Sequence, residues 1–573
     1  MNSLSPKSFA IAVTCFFAIL AALWLADIGE RKLANPDEGR YSVLAMHMAD
    51  SGDFVTPRLN GLKYFEKPPM QYWAAAAAFH VFGKSEWSAR LYTGLCALLC
   101  VLIASYTAAR FFTREVGLFT GLALIACPYF MALAEIITLD MGLTFWTTLT
   151  VCAFMLSQRE VALDEPPSRR RLAWLCVAAM ASAGAVLSKG LIGIVFPGAV
   201  LFVYCLLNAD WGRLLRINWW IAVPLFLLVV SPWFVLVADR NPEFLQFFFI
   251  HEHFQRFTTT QHRRVEAWWF FLPILFVGVL AWAFLLLPAL VRGWRDETSN
   301  RLPTTVNSMS SAVKKPFKPL RFALIWAVFI IVFFSVSGSK LPAYILPTFP
   351  FVAMLIGYFL ASTPGRTIAW YVMPIPAIAL VIAYVVNTLP TKRAGNPMEL
   401  ALYTEYGVIL VAALIVFAIG TAIAIACFWR GTTVSRRWGV AAVAAASVFM
   451  VQRIDAGYET LSPIQSGYAL AQSIKQKLTP DTRLYSVDTY DQTLAFYLGR
   501  YSTLVDYVDE FEMGQNSEPG RNILRLEDFP PVWGKAGAVI AIIPPQDVDK
   551  MRELGLDFEI IHETPRRMAI LKR

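Results

Sequence analysis

Residues 35–69 hold the densest set of chemistry-bearing side chains in the chain. Within NPDEGRY and the following SGDFVTPRLNGLKYFEKPP stand Asp37, Glu38, Arg40, Asp53, Arg58, Lys63, Glu66 and Lys67, with Tyr41 and Tyr64 among them. A carboxylate such as Asp37 can accept or align a proton. Lysine offers phosphate a compact point charge on a flexible stem, and arginine grips the same group with a planar fork. This stretch follows directly on an apolar run, so acids and bases gather where a membrane meets water. The combination suits an anionic, lipid-linked substrate. A plainer reading stands beside it: Asp37 and Glu38, after Pro36, also suit the entry to a surface helix over 40–49, because helix N-termini favour acids. Lys67 in YFEKPP, next to Tyr72 and Trp73, also suits an interfacial anchor.

Three further segments carry similar residues. Asp140 opens the apolar TLDMGLTFW, either as a second acid of the site or as a helix N-cap. Lys189 in LSKGLIG and Lys340 in SGSKLPAYILP, followed by Tyr344, suit phosphate-binding cations, or lysines that snorkel to headgroups. The stretch HEHFQRFTTTQHRR (251–264) combines His251, Glu252, His253, Arg256, Arg263 and Arg264. Arg256 with Arg263 and Arg264 reads as an anion clamp. His251 and His253 lack the i, i+4 spacing of a helical metal pair. A divalent metal between Glu66 and one of these histidines is a possible addition, but no cofactor is required.

What must position these residues follows from composition. With 573 residues, 57% apolar and only 16% charged, the chain is a polytopic helical membrane protein. The net charge of +9 is spread over short loops between apolar runs, which gives no case for nucleic acid. The eight cysteines lie in apolar segments without CxxC spacing, so no disulfide framework or thiolate metal site is expected. The first run has no convincing cleavage site and reads as a retained anchor.

About thirteen runs reach spanning length, near 8–28, 88–112, 116–136, 138–157, 172–188, 190–207, 218–238, 267–291, 319–337, 342–361, 367–387, 406–428 and 438–452. The run 70–83 is short, and is read as lying along the surface. With that choice the basic clusters, such as Arg169, Arg170 and Arg171, or Arg436 and Arg437, fall on one side, as the positive-inside rule requires of a cytoplasmic face. The N-terminus is then cytoplasmic. Loop 29–87, Asp140, Lys189, loop 239–266 and Lys340 meet on the outer face. Ionisable residues at such helix ends usually line a substrate path. Residues 296–318 read as a flexible cytoplasmic connector.

Beyond residue 452 the runs shorten to RLYSV, TLAFYL, STLVDY, AGAVIAII and RMAIL. This alternation predicts an α/β domain over 453–573, outside the membrane by the same parity, attached to a membrane catalytic domain over 1–452.

NPDEGRY, YFEKPP, SKGLIG, HEHFQRF, SGSKLPAYILP and, in the last domain, TYDQTLAFYLGR together resemble the lipid A aminoarabinose transferases. These are a bacterial branch of the GT-C glycosyltransferases, related to protein O-mannosyltransferases. The resemblance implies a GT-C membrane fold and an inverting transfer of 4-amino-4-deoxy-L-arabinose from undecaprenyl phosphate to a lipid A phosphate. It places the reaction at the periplasmic face of the bacterial inner membrane, where masking of negative charge gives resistance to polymyxin and other cationic peptides. It implies catalytic roles for Asp37 and Asp140. Donor or phosphate contacts would come from Tyr64, Glu66, Lys67, Arg58, Lys189, Arg256, Lys340 and Tyr344. The expected partners are the lipid-linked donor, lipid A and membrane lipids, with the protein a monomer. A protein O-mannosyltransferase would differ in its acceptor. A lipid or sugar flippase would need no outer carboxylates, and the two-fold internal repeats common in transporters are not evident.

Overall fold

A chain this apolar can satisfy its backbone in a bilayer only by forming helices or a closed barrel, and it forms helices. The computed structural model describes residues 22, 24–161, 169–255, 266–295, 316–535 and 537–573. Among the described residues nine helices are long and apolar enough to cross a membrane, or up to eleven if two bent pairs each count as one span. The pairs are Arg114–Ile125 with Pro128–Glu135, bent by 65°, and Phe271–Gly278 with Leu280–Arg295, bent by 85°. Of the other expected spans, 190–207 is the shorter apolar helix Ile192–Asn208, and most of 8–28 lies outside the described residues. So does 296–315, most of the expected connector. The run after YFEKPP is a helix, Met70–Phe82, of 13 residues. At 1.5 Å per residue it extends only about 20 Å, too little for a hydrocarbon core of about 30 Å.

The bundle core is built from large apolar side chains such as Phe119, Phe196, Trp282, Trp326 and Phe349. Two of its buried tryptophans satisfy their N–H groups: Trp282 donates to the Ala123 carbonyl at 3.2 Å and Trp326 to that of Pro347 at 2.8 Å.

The polar stretch after the first span folds as helix Asp37–Ser51, then a hairpin of β1 (Arg58–Leu59) and β2 (Leu62–Lys63), then Met70–Phe82. The hairpin turns on Asn60 and Gly61, both at positive φ (50° and 82°). Asn-Gly suits such a two-residue turn because neither residue resists the left-handed region strongly. The first helix begins three residues earlier than the sequence suggested. It is no surface helix, since Val43, Leu44, Ala45, Met46 and Met48 are buried.

The C-terminal region forms a sheet of β3 (Arg483–Val487), β4 (Thr503–Val505), β5 (Val539–Ile543), β6 (Phe558–Glu563) and β7 (Met568–Lys572), in the order β4-β3-β5-β7-β6. The first three are parallel and β7 runs antiparallel to both neighbours. Alternate residues of β5 enter opposite cores: Val539, Ala541 and Ile543 pack with Phe529 and Trp533, while Ile540 and Ile542 pack with Leu470 and Ile474. A central strand covered on both faces reads as a continuous apolar run, as AVIAII does.

This domain sits on the 29–87 loop. Arg58 Nη1 meets Glu518 Oε2 at 2.9 Å, Asn60 exchanges hydrogen bonds with the Ser502 backbone, and Tyr497 Oη accepts the Leu33 N–H at 2.7 Å. At Gly39 a Cβ would come within 2.5 Å of the Gln492 backbone, so the close approach of the two regions requires glycine there. Loop 29–87 and the sheet domain therefore lie on the same side of the bundle.

One carboxylate ties these parts together. Glu38, 1% exposed, takes Arg31 Nη1 at 2.5 Å and Nη2 at 3.1 Å, and Arg90 Nε at 2.8 Å and Nη2 at 2.9 Å. It also accepts the N–H groups of Ala34 at 2.9 Å and Ile137 at 3.1 Å. Arg31 continues to Asp455 at 2.8 Å on the last long helix. Burial by itself would push the Glu38 carboxyl up; the Arg31 and Arg90 charges and their hydrogen bonds outweigh it and hold the group well below the usual carboxylate range.

A depressed folded value means that this contribution is fully present above the unfolded pKa of about 4.3 and is lost as pH falls toward the folded value. Glu38→Gln should destabilise the protein by about 3–5 kcal/mol at neutral pH, because it leaves two buried guanidinium groups poorly compensated. Thermal melts in detergent from pH 7 to pH 3 check this: the wild-type midpoint should fall more steeply below about pH 4.3 than that of the variant. Parallel curves of equal midpoint would contradict the role.

Candidate active site

The bend ahead of Pro128 and the Glu38 hub deliver residues 135–140 against helix Asp37–Ser51. Arg31 donates to the Glu135 carbonyl at 3.0 Å, and Leu139 shares a core with Tyr41, Tyr64 and Tyr72. Asp140 directly follows Leu139 of that cluster, and Asp37 lies one helical turn before its Tyr41.

With Glu38 turned inward, its neighbour Asp37 faces outward, with 45% of its side chain exposed. Arg40 Nη1 bonds Asp37 Oδ1 at 2.7 Å, one helical turn on. The Nε of the same guanidinium is held by Glu510 of the sheet domain, whose other oxygen accepts Gln492 Nε2 at 2.8 Å. Burial pushes the Glu510 carboxyl up, and the opposing Arg40 charge only partly offsets this. The charges of Asp37, Arg40 and Glu66 all act on the hydroxyls of Tyr41 and Tyr72, and Tyr64 feels Glu66, Arg40 and Glu510. Burial raises all three phenols well above their ordinary range, so they stay protonated.

A second group lies at the start of helix Leu139–Val161 and the end of helix Arg169–Lys189. Lys189 Nζ is paired with Asp140 Oδ1 and lies 4.7 Å from the Tyr344 ring centroid, a cation–π distance. Asp140 sits in the first turn of helix Leu139–Val161 rather than at its N-cap. Lys340, 7% exposed, donates to the Ser337 carbonyl at 2.8 Å.

Lys67 joins the third group. Phe65 packs with Val186 and Leu187, just before Lys189, with Trp233 of the helix Trp219–Arg240, and with Phe244 and Phe248 just after it. Lys67 Nζ bonds the Glu66 carbonyl at 2.7 Å and Glu252 Oε2 at 2.8 Å, so its carboxylate partner is Glu252 and not Glu66. Glu252 lies in the π-helical stretch Gln246–Gln255, a geometry often found at functional sites. Lys63 likewise pairs with Glu243 at 2.7 Å.

The structure therefore brings Asp37, Tyr64 and Glu66 into one cluster, Asp140, Lys189 and Tyr344 into another, and binds Lys67 to the 239–255 segment. Arg58 is engaged by Glu518 and the Gly61 carbonyl, which makes it a strut to the sheet domain. Arg256 lies outside the described residues, as does the side chain of His253. His251 stacks on Phe247 with centroids 5.1 Å apart and lies 3.5 Å from Glu252. Among the described residues no three His, Cys, Asp or Glu side chains gather as a metal site.

Sequence reading missed Arg31, Arg90 and Glu510, and it named Glu252 without pairing it to Lys67. Arg90 carried a signal, as the one cation near the start of an apolar span (EWSARLY). Glu510 carried none, being 470 residues from its partner Arg40.

Two family models match the chain: residues 9–248 match the dolichyl-phosphate-mannose-protein mannosyltransferase model and residues 470–572 the aminoarabinose transferase C-terminal domain. An undecaprenyl phosphate-alpha-4-amino-4-deoxy-L-arabinose arabinosyl transferase of Shewanella sediminis is 27% identical over 68% of this chain and 68% of its own. The enzyme of that name from Pseudomonas aeruginosa is 32% identical, and there the match spans about three fifths of each chain (61% and 60%). The crystal structure of ArnT from Cupriavidus metallidurans bound to undecaprenyl phosphate superposes with a TM-score of 0.87, at 33% identity and 97% coverage of both chains. Its apo state gives 0.86. With that identity sustained over nearly the whole length of both chains, the protein belongs to the ArnT family of aminoarabinose transferases, which are membrane glycosyltransferases.

Proposed function

We propose that this protein transfers 4-amino-4-deoxy-L-arabinose from undecaprenyl phosphate to a phosphate of lipid A, at the periplasmic face of the bacterial inner membrane. The observation that carries the proposal is the convergence of Asp37 with Arg40 and Glu510, of Asp140 with Lys189 and Tyr344, and of Lys67 with Glu252, at the outer ends of a helix bundle. The names of the relatives and the lipid in the Cupriavidus structure support the donor.

In this reading the leaving group is a polyprenyl phosphate, and Lys67, Lys189 and Lys340 stabilise the charge that develops on it where water is scarce. Lys67 and Lys189 already hold carboxylates, so an entering phosphate exchanges partners with Glu252 and Asp140 rather than meeting bare cations. A phosphate monoester acceptor has its second pKa near 6, about that of phosphoserine. It is largely anionic at neutral pH, and Asp37 serves to accept its remaining proton and align it for in-line attack with inversion. Arg40, fixed by Glu510, sets the direction in which Asp37 points. The mannosyltransferase match over 9–248 keeps one alternative open, a protein hydroxyl as acceptor.

Asp37→Asn should abolish polymyxin protection in cells lacking their own enzyme, at unchanged expression. Near-normal survival with a well-expressed variant would contradict the assignment.

Lys67→Ala should weaken undecaprenyl phosphate binding to the purified protein roughly 10- to 150-fold, the range of a lost charge-assisted contact. Glu252→Gln should instead strengthen it severalfold, by about 1 kcal/mol, because it removes the competing carboxylate. Equal affinity in both variants would return the pair to a purely structural role.

For orientation, a reporter active only in the periplasm should be on when fused after Arg573 and off when fused within 296–318. The opposite pattern would place the site on the cytoplasmic face.

A further inference from the structure

Away from the clusters already described, an apolar cleft of about 200 Å³ lies between the helices Ile192–Asn208 and Trp219–Arg240. Its floor is one face of helix Arg169–Lys189, where Leu175, Ala179 and Ser182 recur at i, i+4 and i+7 and are buried. On one wall Gly198 has nothing within 4 Å of the place a Cβ would take, and on the other Trp219 and Val223 are exposed. The two hydroxyls of the lining are turned to backbone: Thr150 donates to the Trp146 carbonyl at 2.8 Å and Ser182 to that of Gly193 at 3.3 Å. What remains for a ligand is hydrocarbon. Apolar cavities of this order stay dry and take up apolar molecules, about 150 Å³ being enough for benzene.

One end of the cleft is basic. Leu175 stands one turn after Arg171, and Ile217, also of the lining, follows Arg216. Arg171, only 8% exposed, donates from Nη2 to the Arg216 carbonyl, which sets these two residues side by side. Arg169 and Arg170 are exposed just ahead of them, while Arg213 is matched by Asp210. Trp219, at the same end, donates its indole N–H to the Leu214 carbonyl at 2.8 Å, and tryptophan favours the membrane–water interface. Arg171 and Lys189 belong to one helix and stand about 27 Å apart along it, at 1.5 Å per residue. That is nearly the thickness of a hydrocarbon core of about 30 Å. The basic end therefore meets the membrane surface opposite the Asp140–Lys189 pair.

We propose that this cleft binds an anionic phospholipid of the leaflet facing away from the active site, with one acyl chain in the cleft and the phosphate at Arg171 and Arg216. Guanidinium forks match phosphate oxygens, and basic pockets between transmembrane helices hold anionic headgroups. The chain lies against helix Arg169–Lys189 and braces the element that carries Lys189. The inference is independent of which sugar is transferred.

Native mass spectrometry and thermal melts of the delipidated protein in detergent decide, with phosphatidylglycerol, phosphatidylcholine of the same chains and inorganic phosphate as probes. Wild type should hold phosphatidylglycerol roughly 10- to 150-fold more tightly than phosphatidylcholine, the range of a charge-assisted contact. Inorganic phosphate should leave the melting midpoint where it is. Gly198→Leu fills the cleft at a helix position with room for a side chain, and should weaken phosphatidylglycerol about tenfold or more. Arg216→Gln should bring phosphatidylglycerol close to phosphatidylcholine, and both variants should bind undecaprenyl phosphate as wild type does. Equal affinity of the wild type for the two phospholipids overturns the proposal without any variant. So does phosphatidylglycerol binding untouched by both substitutions, or stabilisation by inorganic phosphate equal to that by the lipid. A parallel loss of undecaprenyl phosphate in Gly198→Leu also overturns it, by giving the cleft to the donor chain.

Discussion

A single buried carboxylate, Glu38, fixes the geometry on which the site depends. Two guanidinium groups, Arg31 and Arg90, enclose it with nearly no exposure on any of the three side chains. Desolvating three ions is costly, and such an arrangement persists only where hydrogen bonds occupy the remaining lone pairs and protons. Here they do. The two backbone N–H groups of Ala34 and Ile137 complete Glu38, while Arg90 donates to the carbonyls of Ile28, Arg31 and Lys32. The network therefore joins the end of the first span, helix Asp37–Ser51, the span beginning at Glu86, the turn before Asp140 and, through Asp455, the last long helix.

The consequence for chemistry is a division of labour between adjacent acids. Glu38 is turned into the protein and held ionised by its arginines, which leaves it unsuited to exchange protons near neutral pH. Asp37, one residue earlier, is turned out beside Arg40 with nearly half its side chain exposed. The sheet domain contributes Glu510, so the orientation of Asp37 depends on residues from both ends of the chain. That dependence gives a physical reason for an α/β domain to sit on the 29–87 loop: its docking contacts, Arg58 with Glu518 and Gly39 against the Gln492 backbone, bring Glu510 to Arg40.

Much of this was legible in the sequence. Apolar runs marked the helices because a bilayer leaves the backbone few alternatives, and 70–83 was read as non-spanning from its short length together with the placing of the basic loops. The family was legible in short motifs such as YFEKPP and SKGLIG, and the sheet domain in its alternation of apolar runs and turns. Asp140 and Lys189 were singled out from separate segments, and they meet in an ion pair. What stayed hidden were the partners. Lys67 meets Glu252, 185 residues away in sequence. Arg58 looked like a phosphate ligand, and the sheet domain claims it through Glu518. Glu38 looked like an ordinary helix-terminus acid, because nothing local records that Arg31 and Arg90 converge on it. Charge pairing across hundreds of residues is set by tertiary structure, and a single sequence carries no trace of it.

The central claim is that the outer cluster transfers aminoarabinose onto lipid A. Mass spectrometry of lipid A tests it most directly, in a strain that makes the lipid-linked donor but lacks its own transferase. Expression of this protein should add aminoarabinose to lipid A phosphate, and the addition should disappear when the protein is withdrawn. Lipid A of unchanged mass, with the protein well expressed and membrane-inserted, would contradict the account.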